Sequence, residues 1–271
     1  MARASWASAA VLVLAVCAMN LEARAAPSGI HPIIYLGKDY SYFVGGTLDG
    51  RWLEPENLVA SLRGGENYRL YSLTAALGTA TGSMPTEEEQ GPAYTLEVAP
   101  RPSGGQAVIG VCGDWDALPR TVHLQNVHQK VYEDAARAFL AGKGMRNVKI
   151  SFSHILRGDF DGDGEDEVLL SATTPNYGQY TGAPREFSFA ALRDVVGGKV
   201  RTYLVDGEFW SHARRPHEYR GRYWVGAALD LDGDGVQEIV LRHEAAGGTA
   251  TNAYALRGDK VVRLCGGGFG T

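Results

Sequence analysis

Carboxylates recur at fixed intervals in two short stretches of this 271-residue chain. Residues 158 to 170 read Gly-Asp-Phe-Asp-Gly-Asp-Gly-Glu-Asp-Glu-Val-Leu-Leu, and residues 229 to 241 read Leu-Asp-Leu-Asp-Gly-Asp-Gly-Val-Gln-Glu-Ile-Val-Leu. Counted from the first Asp, acids occupy positions 1, 3 and 5 (Asp159, Asp161, Asp163; Asp230, Asp232, Asp234), glycine position 6 (Gly164; Gly235) and glutamate position 9 (Glu167; Glu238). Like charges this dense repel unless a cation sits among them. Ca²⁺, a hard ion that takes six to eight oxygens in flexible geometry, suits the set best.

Alternate carboxylates converge on one point if the chain curls, and glycine permits the positive φ that a sharp curl demands. Position 7 (Glu165; Val236) would then offer its backbone carbonyl, so its side chain is free to vary. An EF-hand loop ends in a bidentate Glu at position 12 and leads into a helix. Here position 12 is Leu170 or Leu241, and the runs Val168-Leu169-Leu170 and Ile239-Val240-Leu241 read as buried strands. The expectation is two calcium loops that enter strands.

Gly158-Asp159-Phe160-Asp161-Gly162-Asp163-Gly164, followed by acids and an apolar strand, resembles the calcium loop of FG-GAP or VCBS-like repeats, best known from integrin-type β-propellers. The resemblance covers about residues 147–265 and is specific at the loop. It implies two calcium loops, with about two ions of Ca²⁺.

The elements around the loops repeat as well. Asp159 and Asp230 are 71 residues apart. Each loop is preceded by a strand (Val148 to Leu156; Tyr223 to Ala228) and followed by an apolar strand. A further strand ends Ala191-Leu192-Arg193 or Ala255-Leu256-Arg257, and a glycine turn leads to Lys199-Val200 or Lys260-Val261. One unit therefore holds about four antiparallel strands, the content of a propeller blade. Two blades do not close a ring, so a propeller with degenerate further blades and a pair of packed sheets both remain open. The fold class is mostly β: propeller-like four-stranded sheets over residues 146–271, a β-rich amino-terminal region over 26–121, and one helix within 122–145.

That helix is expected from about Val127 to Leu140, with Asn126 as cap, Val131, Ala135, Phe139 and Leu140 as apolar stripe, and Gly142 and Gly144 at its end. Upstream, Ile33–Leu36, Tyr40–Val44, Tyr68–Leu73, Tyr94–Val98 and Ala107–Val111 read as strands, and residues 79–92 as an exposed loop. Residues 1–25, with Arg3, an apolar run from Ala9 to Met19 and Ala23-Arg24-Ala25, read as a secretory signal peptide. Cys17 sits in a poor lipoprotein box, because Val16 stands where a small residue is wanted. In an exported protein Cys112 and Cys265 either pair or remain separate buried thiols.

Without the leader the chain holds 24 basic and 30 acidic residues, a net charge of about −6. That balance argues against general nucleic-acid binding, and no later segment is apolar enough to span a membrane. Gly-x-Ser-x-Gly and His-Glu-x-x-His motifs are absent, and the seven histidines are scattered. One other stretch is chemically dense: Trp210, Arg214, Arg215, Arg220, Arg222 and Trp224 crowd fifteen residues. Arginine forks beside aromatic faces suit sugars or an anionic polymer, but they suit better an inter-repeat loop whose aromatics finish the core and whose arginines stay wet or pair with acids. The functional expectation is an exported calcium-binding module presenting a surface to protein or glycan. The alternative is a calcium-dependent extracellular hydrolase of polysaccharides or phosphodiester polymers.

Overall fold

A computed structural model describes residues 26–89, 93–103, 107–175, 183–213, 215, 218 and 220–270. The expected leader, Cys17 and Arg214 lie outside the described residues. The chain begins with β1 (Ile30–Leu36), β2 (Ser41–Leu48), β3 (Arg51–Leu53), a short helix α1 (Pro55–Leu58), β4 (Asn67–Tyr71), β5 (Ala76–Gly82), β6 (Thr86–Glu87), β7 (Tyr94–Thr95), β8 (Val98–Ala99) and β9 (Val108–Val111). It continues with β10 (His123–Leu124), α2 (Lys130–Gly142), β11 (Ser151–Gly158), β12 (Glu167–Thr173), β13 (Glu186–Val196) and β14 (Lys199–Trp210). The last four strands are β15 (Arg222–Leu229), β16 (Glu238–Ala245), β17 (Gly248–Arg257) and β18 (Lys260–Gly270).

Among the described residues every strand pairing is antiparallel. Strands β1 to β9 form a nine-stranded sheet, ordered β6-β7-β2-β1-β9-β4-β5-β8 with β3 on β2. The carboxyl-terminal half forms two meanders, β10-β11-β12-β13-β14 and β15-β16-β17-β18. Both repeats share one register where it matters: Gly158 pairs with Glu167 and Leu229 with Glu238, so each acidic stretch closes the hairpin between the first two strands of its unit.

The sheets stack in layers. Ile33, Tyr35, Tyr42, Val44, Ile109 and Val111 of the nine-stranded sheet pack on Ala227, Leu229, Val240, Ala253 and Cys265 of the β15–β18 sheet. The opposite face of that sheet, through Val225, Ala228, Ile239, Leu241 and Tyr254, packs on Leu156, Leu169, Ala190, Leu192 and Val205. Helix α2 covers the far side of the β10–β14 sheet, and Leu58 and Leu62 cover the far side of the nine-stranded one. Polar links cross both seams: the Tyr42 and Thr251 hydroxyls bond at 2.7 Å, and Tyr254 Oη donates to Asp206 Oδ2 at 2.6 Å.

Several expectations shift. Helix α2 starts at Lys130 after a Gln129 cap position, while the Asn126 side chain accepts from His128 N–H instead of capping it. The helix buries Tyr132, Ala136 and Leu140, leaving Val131 59% exposed. The two candidate stripes lie one residue apart around the helix, and burying a tyrosine ring removes more apolar surface than burying a valine. Residues 76–82 form a strand and 86–87 pair with β7, so the expected loop is partly sheet. Strand β10 adds a fifth strand to the first repeat unit. Cys112 and Cys265 are free: they belong to the clusters on opposite faces of the nine-stranded sheet. Among the described residues no helix is long and apolar enough to cross a membrane.

Candidate metal centres

The two acidic stretches fold with the same hydrogen bonds. In the first, Asp159 Oδ1 accepts from Gly162 N–H at 2.6 Å and Oδ2 from Gly164 N–H at 3.2 Å. In the second, Asp230 Oδ1 accepts from Gly233 N–H at 2.7 Å and Oδ2 from Gly235 N–H at 3.0 Å. Asp161 and Asp232 each accept the N–H two residues on, at 3.1 and 3.3 Å, and Asp163 and Asp234 do the same, both at 2.8 Å. The curl requires φ of +84° and +91° at Gly162 and Gly164, and of +80° and +92° at Gly233 and Gly235, values that side chains with a Cβ rarely adopt.

The glutamates close the loops. Glu167 Oε2 accepts from Phe160 N–H at 2.7 Å, and Glu238 Oε2 from Leu231 N–H at 2.9 Å. Phe160 and Leu231, the apolar residues at position 2, are 4% and 0% exposed, so each curl is pinned to the core from within. In both glutamates the second oxygen, Oε1, is buried and has no hydrogen-bond partner. A buried acceptor left unsatisfied costs about 1–3 kcal/mol, which a cation beside it would offset.

Of the residues picked out from sequence, Asp159, Asp161 and Glu167 bring one oxygen each within 4.8 Å of one another, as do Asp230, Asp232 and Asp234. Asp163 and Glu165 lie on the exposed rim of the first curl, and Val236 is half-buried in the second. Position 12 falls inside a strand in both copies, with Leu170 and Leu241 2% and 1% exposed, so no helix follows either loop. The oxygen-only donor sets fit a hard divalent ion such as Ca²⁺, with Asp159, Asp161 and Glu167 able to hold one and Asp230, Asp232 and Asp234 another.

The curls lie side by side but in unlike surroundings. Gln237 N–H donates to Phe160 O at 2.7 Å, tying the second loop to the first. Residues 115–120 grip both: Arg120 donates to the carbonyls of Asp159 and Phe160, Trp115 Nε1 to Asp230 O at 2.7 Å, and Asp230 N–H bonds Ala117 O at 2.8 Å. Around the first curl Asp161, Asp163, Gly164, Glu165 and Asp166 are exposed, whereas residues 230–233 are buried. A Cβ on Gly233 would meet Pro27 at 2.8 Å and Trp115 at 3.0 Å. The sequence carries no signal for Trp115 or Arg120, because they come from outside the repeat.

Electrostatics follow from this crowding. Burial, reinforced by the charges of Asp161, Asp163 and Asp194, raises Glu167 from 4.5 to about 8. Burial also raises Asp230 from 3.8 to about 6 and pushes Glu238 well above the carboxylate range. In metal-free protein these groups hold protons that the unfolded chain has already released, so folding takes up protons between about pH 4 and 8. Stability of chelator-treated protein should therefore fall as pH rises from about 4 to 8, and be greater at pH 5 than at pH 8. Urea titrations at the two pH values check this, and a metal-free protein more stable at pH 8 would contradict it.

The aromatic and basic stretch divides. Arg220 is 1% exposed: Nη1 donates to Glu186 Oε2 at 2.6 Å and to Ala183 O, and Nη2 to His212 O and Glu218 Oε2. Its guanidinium lies 4.9 Å from the Trp210 ring. These two residues thus fasten the segment between β14 and β15 to the start of β13, and Arg220 offers no fork to a ligand. Arg215 is exposed, while Arg222 and Trp224 are half-buried neighbours on β15.

Fold and loops together define a mostly β protein of antiparallel sheets with two acidic, strand-entering curls. No protein-family model, curated protein or solved structure matches the chain.

Proposed function

We propose that the chain is an exported calcium-binding module of FG-GAP or VCBS type, in which one Ca²⁺ in each acidic curl rigidifies a propeller-like pair of sheets that presents a surface to protein or glycan. The observation that carries this reading is the common hydrogen-bond scheme of the two loops, each ending on a buried glutamate oxygen with no donor. Two meanders whose loops occupy the same place between first and second strands support the repeat. Export rests on the character of residues 1–25.

Calcium here is structural. Bound at a hundred times its dissociation constant, a metal that recognises only the folded state adds about 2.7 kcal/mol per site, a sizeable share of a domain's net stability. Within each site the carboxylates supply charge, and the backbone N–H groups of residues 162–165 and 233–236 hold them convergent.

Isothermal titration of calcium-depleted protein tests the reading. Two equivalents of Ca²⁺ should bind, and Glu167→Gln should remove or weaken one of them while leaving the other. Heat indistinguishable from dilution at millimolar Ca²⁺ would refute it.

A further inference from the structure

Where the three sheets meet at the amino-terminal end of β15, two arginines stand over one indole. The Arg222 guanidinium lies 5.0 Å from the Trp224 ring centroid and that of Arg242 lies 5.6 Å from it. Arg242 also lies 4.6 Å from the ring of Tyr35, which belongs to the nine-stranded sheet, and Tyr35 stacks on Tyr42 at 4.8 Å. Arg222 reaches the β10–β14 sheet, where its Nη2 approaches Ser153 Oγ at 3.4 Å. Sequence spacing could not find Arg242, since it is brought opposite Trp224 only by the β15–β16 register.

Arg220, Arg157 and Arg263 each pair with a carboxylate. Arg222 and Arg242 form no such pair among the described residues, and Glu244, opposite Arg222 in the ladder, makes no ion pair with it. The Nε atoms of both are buried and lack an acceptor. Two half-buried guanidiniums with no carboxylate partner among the described residues carry a desolvation cost that a bound anion would offset. A guanidinium over a ring face spends none of its N–H groups as donors to a carboxylate there, so its outer Nη edge is left able to take oxygens of an anion.

We propose that Arg222 and Arg242, held over Trp224, form a binding site for an oxyanion, the carboxylate or sulfate group of an acidic sugar being the chemistry it would take. Trp224 and Tyr35 position the forks, and the anion's oxygens accept from both. The site shares no residue with the acidic curls, which lie past the opposite end of β15.

The test uses the full chain. Inorganic sulfate is titrated against chloride at matched ionic strength while tryptophan fluorescence and melting temperature are followed, and galacturonate forms a second arm that separates a carboxylate source from a sulfate one. Saturable binding of at least one of them is expected, weakened at least tenfold in Arg242→Gln and unchanged in Arg263→Gln. If Arg242→Gln does not fold, Arg222→Lys, which keeps the charge and loses the fork, should weaken binding severalfold. Responses that track chloride in both arms, or saturation that survives the substitutions, would overturn the proposal. Repeating the titration on calcium-depleted, still-folded protein separates its failure from that of the calcium reading.

Discussion

Chelation with EGTA should lower the melting temperature by about 10–20 °C relative to protein in millimolar Ca²⁺. Each occupied curl adds about 2.7 kcal/mol at a hundredfold excess over its dissociation constant, and two add about 5.4 kcal/mol. For a chain of this size 1 kcal/mol moves the midpoint by about 2–4 °C. The structural ground for so large an effect is the placement of the carboxylates. Glu167 and Glu238 are 3% and 1% exposed, each with an oxygen that no described residue satisfies, so water would not take the ion's place cheaply. Circular dichroism melts with EGTA, and again after calcium is restored, measure it. A reversible change of under 2 °C would leave the loops as turns without a metal.

The second large effect separates the two curls. Asp230→Asn should destabilise the calcium-loaded protein by about 4–6 kcal/mol and Asp159→Asn by about 2–3 kcal/mol. Both changes weaken the ion by removing a charge at position 1. An asparagine keeps one accepting oxygen, so one of the two glycine N–H groups held by the aspartate loses its acceptor. Beside Asp159 that N–H can turn to water, because the rim from Asp163 to Asp166 is exposed. Beside Asp230 the loop is closed over by Pro27 and Trp115 and joined to the nine-stranded sheet's side of the molecule through Ala117, so the orphaned donor stays largely dry. Urea unfolding in 1 mM Ca²⁺ compares the variants. Equal losses, or a greater one at Asp159, would show that burial does not rank the sites.

What was legible beforehand was what is local. The curls announce themselves because positions 1, 3, 5, 6 and 9 lie within a few residues, and the strand after each is marked by β-branched and leucine residues whose burial needs no partner to be named. The hairpin turns before Lys199 and Lys260 are equally local. What escaped depends on partners distant in the chain. That Arg220 could pair with an acid is readable from its type, but that the acid is Glu186, 34 residues earlier, is not. Tyr132 and Val131 compete for the same role on α2, and only docking against Phe187 and Phe189 decides between them. Cys112 and Cys265 share a sheet's neighbourhood without sharing a face. Trp115 and Arg120, which brace the curls, sit in a segment with no pattern of its own.

The β15–β18 sheet lies in the middle of the stack, sending Val240 toward one neighbour and Leu241 toward the other. A ribbon greased on both sides has no wet surface of its own to stand on, so it cannot persist as a free unit, and neither neighbour can shed it without baring a hydrophobic wall. The β15–β18 sheet thus carries apolar contacts to the amino-terminal sheet on one face and to the β10–β14 sheet on the other. Cut between β9 and β15, the chain would bare an apolar wall on each piece.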